Sequence, residues 1–141
     1  MRTGLLAAIL AATTILAGCQ TNSRDQILQS SASAVQLRSF QTRTFDTADR
    51  TQTLRTVIAT LQDLGFVVDK ADATLGSVSG TKLDGYALRM TVTVRPSGAE
   101  QTMVRANAEY NAEAVEDPAP YQRFFEALEK AMFLTAHEVE G

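Results

Sequence analysis

The residues of this chain that carry reactive chemistry are few. His137 is the sole histidine and Cys19 the sole cysteine, so these residues can build neither a multi-histidine metal site nor an internal disulfide. No CxxC, GxSxG, HExxH or phosphate-cradling glycine loop occurs. Gly76-Ser77-Val78-Ser79-Gly80 comes nearest to a nucleophile elbow, but Val78 stands where the elbow requires serine. Asp69, Asp72 and Asp84 lack the compact alternation of a calcium loop and read as turn aspartates. Glu109, Glu113, Glu116 and Asp117 could supply a carboxylate pair, yet no spacing sets two of them across a cleft. The expectation is a protein that is not an enzyme, without metal or cofactor.

Arginine offers the one patterned chemistry. Arg89, Thr91, Thr93 and Arg95 alternate with Leu88, Met90, Val92 and Val94, and Arg105, Asn107 and Glu109 alternate with Val104, Ala106 and Ala108. A period of two puts the polar set on one face of a half-buried sheet. Arginine recognises carboxylates and phosphates through paired N–H groups and is enriched at interfaces. Arg89, Arg95, Arg105 and Asn107 therefore form a candidate interaction face. A merely solvated sheet surface would carry the same alternation.

The elements that must position this face can be read in order. Residues 35–45 (VQLRSFQTRTF) are rich in Val, Leu, Phe and Thr, lack Gly and Pro, and predict a strand. Leu54, Val57, Ile58, Leu61 and Leu64 fall on one helical face. Asp46 or Thr47 is expected to cap that helix, Asp49 to add a favourable charge, and Gly65 to close it. A strand follows over 66–69, then a turn or bulge and a further strand within 70–82, where Gly76 and Gly80 flank Val78. Asp84-Gly85 marks a turn. The alternating runs from Tyr86 to Arg95 and from Thr102 to Asn111 predict a hairpin closed by Pro96-Ser97-Gly98. After a loop over 111–117, Asp117-Pro118-Ala119-Pro120 suits the start of a helix. Tyr121, Phe124, Phe125, Leu128, Ala131 and Met132 give that helix an apolar face, which Phe133 and Leu134 widen, and the tail from His137 should fray. The fold class is α+β: an antiparallel sheet of about four strands with two helices on one face, a two-layer sandwich of order β-α-β-β-β-α.

The first residues, MRTGLLAAILAATTILAGCQ, carry a different message. Arg2 precedes an apolar run over 5–17 and then small residues, the pattern of a secretory signal peptide and too short for a comfortable span of a bilayer. Leu16-Ala17-Gly18-Cys19 resembles the lipobox of bacterial lipoproteins. That resemblance implies cleavage before Cys19, a diacylglycerol on its sulfur and an acylated amine. The covalent lipid would be the only attached group. Gln20 in place of aspartate resembles lipoproteins sent to the outer membrane, facing the periplasm. Expected boundaries are 1–18 for the leader, 19–34 for the lipidated Cys19 and a flexible Ser/Gln/Ala-rich tether, and 35–141 for one domain. Losing Arg2 takes the 13 basic residues to 12 against 16 acidic, a net of −4. That balance does not favour broad nucleic-acid binding.

With this order on the page, a family resemblance follows. The helix exit LxDLGF over 61–66, the D…G.V.G.K stretch over 72–82, the hairpin and the YQRFFEAL helix resemble the BamC-like helix-grip domains of small outer-membrane lipoproteins. The resemblance covers residues 35–135 and implies an envelope protein partner. It also implies a place where a helix-grip fold can open a pocket between sheet and last helix, here at Phe124, Phe125 and Leu128. At helical spacing the same aromatic stripe equally describes packed core. The leading expectation is a membrane-anchored periplasmic interaction or accessory module of an envelope complex, outer-membrane assembly being the one that the resemblance implies. The alternative is a carrier or sensor of a lipid or small apolar ligand.

Overall fold

A computed structural model of the protein describes residues 33–83 and 85–137. The expected leader, Cys19 and the expected tether up to residue 32 lie outside the described residues, as do Asp84 and residues 138–141. The first described element is a helix over 33–41, α1, followed by the short strand β1, Thr42–Phe45. The expected strand over 35–45 is thus helical in all but its last four residues. Leu37, Phe40 and Gln41 explain the difference. Their spacing of three and four is helical, Leu37 and Phe40 pack against the core, and Gln41 is buried, while Val35 stays exposed.

Helix α2, Arg50–Asp63, is capped by Asp49, whose Oδ1 accepts the Gln52 N–H at 2.8 Å. The cap therefore falls two residues after Thr47 and three after Asp46, on the residue expected only to add charge. Gly65 follows the helix with φ +86, and its N–H donates to the Gln62 carbonyl. Leu54, Val57 and Leu61 are buried as expected, and so are Thr53, Thr56 and Thr60. Each of those threonine hydroxyls donates to the carbonyl four residues earlier, so each is buried without an orphaned polar atom.

The sheet follows: β2 (Val67–Asp72), β3 (Ser77–Leu83), β4 (Ala87–Ser97), β5 (Gln101–Tyr110) and a two-residue β6 (Glu113–Ala114). The order is β1-β5-β4-β3-β2, antiparallel throughout, with β6 also paired to β5. Among the described residues the sheet has five strands and a short sixth, against about four expected, and there are three helices against two. The β4–β5 hairpin is as the alternation requires, with Thr93 opposite Arg105 and Val92 opposite Ala106. The bulge falls between Val68 and Lys70.

The last helix, α3, Ala119–His137, starts where Asp117 accepts the Ala119 N–H. Its Tyr121, Phe124, Phe125 and Leu128 join Val78, Met90, Val92, Val94 and Val104 in the core. Phe133 and Leu134 are exposed and do not widen the buried face. His137 remains in the last turn, stacked on Phe133 with ring centroids 4.1 Å apart.

Candidate functional site

Strand alternation decides which residues face solvent. Leu88, Met90, Val92, Val94, Thr102, Val104, Ala106 and Ala108 are buried beneath the helices. Arg89, Arg95, Arg105 and Asn107 are all exposed, on the opposite face of the same two strands. The register brings some of these together. Arg105 lies opposite Thr93, and Met103 opposite Arg95, so Arg95 and Arg105 are diagonal neighbours, a separation long side chains can bridge. Arg89 sits six positions from Arg95, roughly 20 Å along the strand, opposite Glu109. Asn107, opposite Thr91, lies between. Among the described residues the single ion pair is Arg43–Glu129. The three arginines of the open face have no hydrogen-bonded or ionic partner there.

On this face the neighbours are small and polar: Ser77, Ser79 and Thr81 on β3 oppose Thr93, Thr91 and Arg89, and Thr42 on β1 opposes Arg105. The result is a field of hydroxyls between Arg89, opposite Glu109, and the diagonal pair Arg95 and Arg105. It has the chemistry to bind an anionic or hydrogen-bonding surface and none to activate a nucleophile.

The aromatic residues behave differently from a ligand pocket. Phe124, Phe125 and Leu128 are 0%, 1% and 0% exposed, with the two rings edge to face at 5.1 Å. The Arg43 guanidinium lies 5.1 Å from the Phe125 centroid and pairs with Glu129 at 3.7 Å, tying β1 to α3. A cavity does exist between helices and sheet, but Phe124, Phe125 and Leu128 do not line it. It measures about 70 Å³ and is lined by Leu64, Phe66, Lys82, Leu88, Met90, Pro120 and Arg123. Sequence periodicity could not find it, because its walls come from the end of α2, two strands and the first turn of α3.

The remaining candidates stay apart. Asp69 accepts the Thr81 hydroxyl at 2.6 Å, Asp72 accepts the Leu75 N–H at 2.8 Å, and Asp117 caps α3. No group of three His, Cys, Asp or Glu among the described residues could hold a metal ion. Tyr110, next to the cavity wall, stacks edge to face on Tyr86 at 4.6 Å. Burial first, and then the neighbouring Tyr86, push its phenol above the ordinary 10.0, while Arg123 pulls it down. No helix among the described residues is long and apolar enough to cross a membrane. Comparison with protein-family models and with curated proteins returned no match.

Proposed function

We propose that this chain is a lipid-anchored, periplasm-facing module of the outer membrane that works by binding a protein partner of the cell envelope and catalyses nothing. The observation that carries the reading is the open face of β4 and β5, where Arg89, Arg95 and Arg105 have no partner among the described residues. Interfaces favour arginine over lysine, and an acidic partner surface would complete its hydrogen bonds. An antiparallel sheet with helices packed on it is the two-layer arrangement that the BamC-like resemblance implies. Acylation of Cys19 would confine the domain to a surface and raise its effective concentration near membrane partners.

Crosslinking of intact envelopes followed by mass spectrometry tests this. The natively processed protein should capture an envelope-complex subunit, and the Arg89→Glu, Arg95→Glu, Arg105→Glu variant should not, while keeping its circular dichroism. Unchanged capture by that variant would remove the face from the reading. Cys19→Ser should release the protein from membranes, and unchanged attachment would remove the anchor. A second reading, the carrier of an apolar ligand between sheet and last helix, is favoured by the 70 Å³ cavity.

A further inference from the structure

We infer that the cavity at the Leu64 end of the slab is a binding site for a single-chain anionic amphiphile, its head held by Lys82 and Arg123 and its alkyl chain begun in the slot between them. This rests on the carrier reading and gives it a ligand class and residues. The slot is apolar where it is deep: Met90 is 1% exposed, and Phe66 and Leu88 are also buried. Both polar side chains of its lining are cationic. Neither has an acidic partner among the described residues. An apolar floor between two unneutralised cations complements a molecule with an alkyl end and an anionic end, and complements no cation.

Size narrows the class. A volume of about 70 Å³ is roughly half of the ~150 Å³ that accepts benzene in an apolar protein cavity. A ring does not fit, but a short stretch of unbranched chain does. The rest of such a chain has a surface to lie on. Lys82 pairs with Leu88 at the end of the β3–β4 hairpin, and Tyr86, whose ring meets that of Tyr110 opposite Leu88, is 53% exposed there. The Lys82 stem passes beside Gly65, where an added Cβ would sit 3.6 Å from its Cε. The lysine therefore lies across the end of α2, with the arginine on the first turn of α3.

Methionine methyl resonances give a direct readout. Of the four methionines, Met90 lines the slot and Met103 lies on the opposite face, opposite Arg95. The full chain carrying Cys19→Ser, so that no acyl chain of its own competes, is labelled at methionine methyls. It is titrated below micellar concentration with dodecanoate, dodecyl phosphate, dodecyltrimethylammonium and inorganic phosphate. The two dodecyl anions should shift Met90 saturably and leave Met103 in place, while the cation and inorganic phosphate should do neither. Lys82→Gln and Arg123→Gln, both changes at the mouth and outside the core, should each weaken the anions about tenfold by removing a charged hydrogen bond. If no amphiphile moves Met90, the carrier reading falls and this proposal with it. If the cation shifts Met90 as well as the anions do, or the two variants bind undiminished, the carrier reading survives and the anionic ligand class is overturned.

Discussion

The Tyr121 hydroxyl donates to the Val115 carbonyl at 2.7 Å and accepts the Ala108 N–H at 3.2 Å. The Val115 N–H donates in turn to the Ala108 carbonyl. A side chain from α3 is thus inserted into a strand-edge bridge, between the stretch of β5 that pairs with β1 and the stretch that pairs with β6. Gln41 adds a third hydrogen bond to the same oxygen, which ties the end of α1 to this point. One fully buried phenol joins both terminal helices to the edge of the sheet.

Tyr121→Phe keeps the ring and removes the oxygen. Ala108 N–H, Val115 C=O and the Gln41 amide would each lose a buried partner, and unsatisfied buried groups cost about 1–3 kcal/mol. The variant should lose about 2–3 kcal/mol in urea unfolding with an unchanged slope. Its Ala108 amide should exchange faster with solvent. Wild-type stability would show that the bridge is re-formed by water.

Thr60→Val should do the opposite. The Thr60 hydroxyl donates to the Thr56 carbonyl at 2.8 Å, an oxygen already placed to accept a helical N–H. Removing the hydroxyl orphans nothing, and such back-bonding slightly disfavours helices. The buried site should accept the methyl with stability unchanged or raised by up to about 1 kcal/mol, measured by the same urea titration. A loss as large as that expected for Tyr121→Phe would mean the hydroxyl has a further role.

These two residues also mark what the sequence makes legible. The β4–β5 hairpin and the apolar faces of α2 and α3 are local periodic patterns, and they read correctly to within a residue or two. The threonine stripe of α2 does not, because a polar/apolar code scores Thr53, Thr56 and Thr60 as solvent-facing while their hydroxyls are satisfied within the helix itself. Residues 35–41 misread for another reason. Their β-rich composition is a local preference, but the partner of Gln41 is Tyr121, 80 positions away, and no window of sequence contains both. The arginine face was legible from alternation alone, whereas the cavity needed the fold.

Gly76→Ala tests the turn that leads into β3. Gly76 has φ +65, and a Cβ there would lie 2.4 Å from Arg50 Nη2 and 2.5 Å from the Val94 carbonyl oxygen. Arg50 cannot yield freely, since it donates to the carbonyls of Thr74 at 2.9 Å and Val94 at 3.2 Å. Left-handed strain and overpacking together should cost about 2–5 kcal/mol. Gly98→Ala has a comparable φ of +73 but meets nothing within 4 Å, and should cost only about 1–2 kcal/mol. Equal losses in thermal unfolding would show that conformation alone matters and that Arg50 gives way.

Tyr110 makes stability fall at alkaline pH. Its phenol is raised above the ordinary 10.0, first by burial and then by Tyr86, against an opposing pull from Arg123. In the folded protein Tyr110 keeps its proton where the unfolded chain has begun to lose its own. The unfolded state then binds fewer protons, so stability falls with rising pH. The contribution is intact below about pH 10 and is lost progressively from there through the folded pKa. Site-resolved tyrosine titration by NMR should place Tyr110 above 10. Tyr86→Phe should bring it part of the way down, because burial, the larger cause, remains. Arg123→Gln should move it further up, since that change removes the one neighbour that favours the phenolate. An unchanged Tyr110 pKa in Arg123→Gln would mean that the guanidinium lies too far from Tyr110 to act on it, and would separate the arginine from the wall it is taken to share.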